Sequence, residues 1–110
     1  MRFSPPASNL IVEWKLTPSA PIVDADTMGE VTILDEARRP VKGSAMRVEA
    51  FMTHPGMAPV LETATATRAG VFGVRLRFPM AGEWLLSVKD EQGVKVQGSE
   101  FKVLVRGSSP

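Results

Sequence analysis

Residues 52–57 read Met-Thr-His-Pro-Gly-Met, which puts two thioethers and the chain's only histidine within six positions. A further methionine, Met80, stands in the run Phe-Pro-Met-Ala-Gly at residues 78–82. Thioether sulfur is a soft donor that suits Cu(I) and binds zinc, magnesium or calcium poorly, and imidazole suits copper in either oxidation state. A Met-x-His-x-x-Met run needs a chain reversal to bring three side chains onto one ion, and Pro55-Gly56 supplies it. If the fold brings the end of the Phe78 strand beside that reversal, then Met52, His54, Met57 and Met80 converge. The same residues also have a plainer reading. Methionine is an adaptable filler of cores and contact surfaces, and a histidine beside Pro-Gly is commonly an exposed loop residue. Met46 has core parity and reads as packing, while Met28, before Gly29, has no visible partner.

Other chemistry is poorly represented. There is no G-x-S-x-G, no phosphate-binding loop and no G-x-G-x-x-G. A Ser/His/Asp arrangement would have to use His54, and no serine sits in a nucleophile turn. Glu62 and Glu83 are the one candidate carboxylate pair, but each lies in a stretch of polar alternation and reads as solvated. The chain is therefore not expected to be an enzyme. It has no cysteine, so neither disulfides nor thiolate metal sites contribute. The net charge is +1, from 13 basic and 12 acidic residues. That balance argues against nucleic acid as a partner, since phosphate binding needs a basic surplus on one face. The densest basic cluster, Arg38-Arg39 with Lys42, reads as a charged turn.

The elements that would position these side chains are strands. The chain is 110 residues long with 44% hydrophobic and 23% charged residues, which fits one globular domain with a modest core. Nine glycines and nine prolines punctuate it, with valine and threonine between, and helix signals are nearly absent. Asn9–Pro18 reads as a first strand, 18–29 as a loop with an edge segment at Ile22-Val23, and 30–36 as a second strand with Val31 and Ile33 on one face. In 45–54, Met46, Val48, Ala50, Met52 and His54 share the core parity. Residues 60–79 read as a hairpin turning at Arg68-Ala69-Gly70, with Phe72, Val74, Leu76, Phe78 and Met80 facing inward. Trp84, Leu86 and Val88 face inward on the next strand. A turn at 91–93 leads into a last strand over 94–105, with Gly98 as a bulge. About seven antiparallel strands in one domain is the arithmetic of an immunoglobulin-like β-sandwich. Residues 1–8 are expected to be an extended lead-in and 106–110 a flexible tail.

No stretch approaches the roughly 18 apolar residues of a membrane helix. The opening residues lack the apolar region and cleavage site of a signal peptide. The chain is then either a cytoplasmic protein or a domain whose export signal or membrane anchor has been removed.

Residues 48–88 resemble the YtkA-like domain, which is related to the periplasmic part of FixH-type proteins. The matching pieces are Met52 to Met57, Gly70 to Phe72, and Phe78 to Val88. Within the last, Phe-Pro-Met-Ala-Gly-Glu-Trp-Leu-Leu-Ser-Val is the most specific. Thr53 stands where the family often has proline after the first methionine. The resemblance implies an exported or membrane-anchored bacterial sandwich, often linked with copper handling or cytochrome oxidase assembly. It carries the suspected ligands onto Met52, His54, Met57 and Met80. The expected cofactor is then Cu(I), passed to or from a copper-donor or copper-acceptor protein in the periplasm. The other reading is a metal-free structural or interaction module of a membrane-associated or exported assembly. The sequence does not specify an oligomeric state.

Overall fold

The computed structural model describes residues 10–43, 45–53, 58–96 and 98–107. The expected lead-in at 1–8 lies outside the described residues, as do His54 and Met57 and residues 108–110 of the expected tail.

Seven antiparallel strands follow one another: β1 (Ile11–Thr17), β2 (Asp26–Leu34), β3 (Ala45–Met52), β4 (Val60–Arg68), β5 (Val71–Arg77), β6 (Gly82–Lys89) and β7 (Phe101–Val105). They form one continuous sheet in the order β1-β2-β5-β4-β3-β6-β7. The sheet folds over on itself, with β1-β2-β5 on one side, β3-β6-β7 on the other and β4 joining them. The two edges then approach each other. The Trp14 ring of β1 stacks on Phe101 of β7 at a centroid distance of 6.2 Å, and its Nε1–H donates to the Ser99 carbonyl at 2.7 Å. Ile22 bridges Arg106 in parallel. Arg106 N–H donates to Pro21 O and Arg106 O accepts from Val23 N–H. Arg106 is thus tied into the fold, and edge pairing of this kind blunts the exposed strand edges that invite aggregation.

Alternation of apolar and polar residues produces this arrangement, because successive side chains of a strand point to opposite faces. Val31 and Ile33 of β2, Met46, Val48 and Ala50 of β3, and Phe72, Val74 and Leu76 of β5 are all buried. So are Trp84, Leu86 and Val88 of β6 and Val103 and Val105 of β7. Trp84 is fully enclosed and meets Phe78 with ring centroids 5.3 Å apart and planes tilted by 58°. Tilted aromatic pairs of this kind add to the energy of area burial.

Besides shifts of one or two residues at other strand ends, three boundaries differ from the sequence reading. β2 begins at Asp26, so Asp26–Gly29 is strand rather than loop; Thr27 and Gly29 continue its buried parity. Ile22 does form the expected edge segment. The last strand is shorter than 94–105. After the turn at Asp90–Gly93, Lys95 bridges Lys89, Gly98 takes a left-handed φ of 78°, and regular pairing resumes only at Phe101. In that gap the buried Ser99 hydroxyl accepts from Val88 N–H at 3.0 Å, standing in for a backbone carbonyl. Finally, β5 ends at Arg77. The turn that follows breaks the alternation, so Phe78 is buried but Met80 is 47% exposed instead of facing inward.

Candidate metal centre

The register of β3 against β6 brings the two methionine segments to one end of the sandwich. Met52 is the last residue of β3 and lies opposite Trp84. One residue further, Thr53 N–H donates to Glu83 O at 3.1 Å. Met52 is half-buried and packs on the rim of the core. Its Cε lies so close to Gly82 that a Cβ there would stand 2.8 Å from it. Gly82 has a φ of 137°, a conformation that favours glycine. The Met52 thioether is therefore seated against bare backbone two residues after Met80.

Met80 sits in the turn between β5 and β6, and its carbonyl accepts a 2.9 Å hydrogen bond from the Trp84 indole Nε1–H. A buried indole must find a partner for its N–H, and here that partner fixes the backbone of the turn. The Met80 side chain itself is exposed. So one sulfur-bearing residue is held at the core rim and the other projects from a pinned turn beside it. The chain enters the segment containing His54 and Met57 at Thr53 and leaves it at Ala58, before β4.

The remaining methionines stand elsewhere. Met46 is buried at the opposite end of β3, as its parity implied. Met28 lies on the outward face of β2, paired with Thr17 and Arg75. Glu62 and Glu83 are exposed and do not form a pair. Glu62 pairs with Val48, at the level of Val88 on β6, five residues from Glu83. Among the described residues no three His, Cys, Asp or Glu side chains come together as a hard-ion cage. The sulfur-bearing side chains described at this end are Met52 and Met80, and thioether sulfur is a soft donor.

The sequence reading missed two features of this end. One is the seat that Gly82 makes for Met52, and the other is the indole-to-carbonyl bond that holds Met80. The signal for both was the spacing Met-x-Gly-x-Trp. It sets a glycine at the strand start and an indole N–H within reach of the turn.

An immunoglobulin-like sandwich with methionines at one end narrows the class, and the sequence comparison names it. The chain belongs to the YtkA-like family, whose profile matches residues 9–89. No curated protein matches the sequence. Among solved structures it is similar to the Lin-41 filamin domain, with 18% identity, a TM-score of 0.67, and coverage of 93% of this chain and 96% of that one. It is also similar to the Escherichia coli adhesin FdeC, with 19% identity, a TM-score of 0.68 and coverage of 92% of this chain. The chain spans 32% of the FdeC chain. At such identities these likenesses speak to the fold alone.

Proposed function

We propose that this domain is a non-enzymatic Cu(I)-binding or copper-transfer module, with Met52, His54, Met57 and Met80 as its ligands. The observation that carries the reading is the β3–β6 register. It seats the Met52 thioether against Gly82, two residues from Met80, at the end where the His54–Met57 segment begins. A thioether-rich donor set selects Cu(I) over hard divalent ions. Exposure of Met80 suits transfer, because a partner's ligands must reach the ion before it leaves. The partner in this reading is a copper-donor or copper-acceptor protein, and the place is the periplasm or another exported, membrane-anchored setting. Copper here is cargo, held and released without redox chemistry.

The test is a competition titration with a chromophoric Cu(I) chelator. Met57→Leu is expected to weaken binding by about tenfold while changing stability by less than about 1.5 kcal/mol, since the two side chains are similar in volume. His54→Ala is expected to flatten the pH dependence of the residual binding, because only neutral imidazole ligates. Parent-like Cu(I) affinity in both variants across pH 5–8 would remove residues 52–57 as the site.

A further inference from the structure

Four apolar side chains cross the outward face of the sheet in an unbroken diagonal. Leu61 on β4 is 63% exposed, Phe51 on β3 40% and Leu104 on β7 60%, and Leu85 on β6 is half-buried between them. The registers fix their order. Glu49 is opposite Leu61, which makes Leu61 the diagonal neighbour of Phe51. Phe51 is opposite Leu85. Leu85 is opposite Lys102 and Glu83 is opposite Leu104, so Leu85 and Leu104 are again diagonal neighbours. The core takes none of the four, and a contiguous exposed apolar patch marks an interaction surface.

The charges beside this stripe identify what covers it. Glu83 lies on one flank and Lys102 on the other, at the same end of the stripe, with Leu85 and Leu104 between them. Among the described residues neither belongs to an ion pair. The neighbouring Glu49 and Lys89 on the same face are already paired with each other at 2.9 Å. Consider a second copy laid face to face, with a twofold axis along the stripe. Strands are about 4.8 Å apart and next-but-one residues of a strand about 6.8 Å apart. On that grid, reflection across the stripe carries Glu83 to within roughly 2 Å of the position of Lys102. The stripe crosses the strands at about 45°, so the two sheets meet nearly at right angles, one of the two standard ways in which sheets pack.

We propose that this face is a self-association surface. Leu61, Phe51, Leu85 and Leu104 of one chain pack on the same four residues of a second copy, and each Glu83 pairs with the other chain's Lys102. A twofold interface is self-complementary in this way by construction. The stripe is small, so the dimer belongs to the weak, transient class of interfaces below about 1,200 Å². The proposal does not depend on the copper reading, and its test is run in chelator to keep the two apart.

The experiment is analytical ultracentrifugation of the parent, Glu83→Lys and Lys102→Glu, each alone and the two variants mixed. Each variant alone places like charges across the axis and is expected to associate about tenfold more weakly than the parent. In the equimolar mixture every 83–102 contact becomes Lys against Glu, and heterodimer is expected at parental strength. Leu104→Ser is expected to abolish association, and circular dichroism checks that every variant keeps the parent's fold. A parent that stays monomeric at about 1 mM, the weak end of measurable association, overturns the proposal. So does a mixture that associates no better than its components, or a Leu104→Ser chain that dimerises like the parent.

Discussion

At the scale of single residues, short-range geometry decides which side chains have a job. Met52 and Met80 differ in sequence by nothing but position, yet one is held at the core rim by the bare backbone of Gly82 and the other is exposed on a turn fixed by Trp84. The alternation of 72, 74, 76 and 78 extrapolates to an inward Met80. The turn after Arg77 defeats that extrapolation, because periodicity holds only while the chain remains a strand. Asp35 shows a side chain whose environment has a pH consequence. Its carboxylate accepts from Arg39 N–H and Ala37 N–H, each at 2.9 Å, and from the Arg39 guanidinium at 3.3 Å. The Arg39 backbone N–H is the chief cause that holds its pKa below the ordinary 3.8; desolvation is the next-largest effect and opposes it, and the Ala37 N–H and the Arg39 guanidinium add to the lowering. A depressed carboxylate stabilises the folded state above the unfolded pKa and loses that contribution as pH falls through the folded one. Thermal melts of the parent and Asp35→Asn should therefore differ at pH 6 and converge as the pH falls below 3.8 and through the lowered folded-state pKa. A constant difference in Tm down to pH 2 would show that Asp35 acts through its shape alone.

At the scale of elements, β3, β5 and β6 were legible from alternation, and β4 as the first arm of the hairpin that turns at 68–70. β3, β5 and β6 bury chiefly one parity, with Val71 and Ser87 buried in addition, whereas β4 buries only Ala64. The start of β2 was not, since Asp26–Gly29 combines a charge, a threonine and a glycine, which read as loop chemistry. There the pairing of 26–32 with 71–77 of β5 outweighs local preference. The end of the chain was legible in part. Gly98 was expected as a bulge, but nothing in the sequence announces that the Ser99 hydroxyl replaces a carbonyl for Val88 N–H. Ser99→Ala leaves that buried N–H without an acceptor and should cost about 1–3 kcal/mol in chemical denaturation. A loss below a few tenths of a kcal/mol would mean that the β6–β7 connection finds another partner for it.

At the scale of the whole molecule, one folded sheet encloses a core centred on Trp84, Phe72 and Phe78, and its two edges are tied through Trp14, Phe101 and Arg106. Truncating Trp84 to alanine should cost roughly 3–5 kcal/mol, as large-to-small changes in packed cores do. A loss under about 1 kcal/mol would place the indole outside the core, where the cavity cost of such a truncation does not apply. The same residue joins fold to function in this account, since its indole N–H fixes the turn that presents Met80. The seven-strand class was legible from strand count and parity. The placing of Met52 and Met80 toward one end was legible only as a conditional, because it rests on which strands pair, and pairing across β3 and β6 is a non-local fact. The most direct test of the central claim is a Cu(I) competition titration of the parent against the double variant Met52→Leu, Met80→Leu. The account predicts one Cu(I) per parent chain and an affinity lowered by at least about a hundredfold in the double variant, with the fold retained, since leucine and methionine exchange at small cost. Equal Cu(I) binding by parent and double variant, or no Cu(I) bound by the parent, would contradict it.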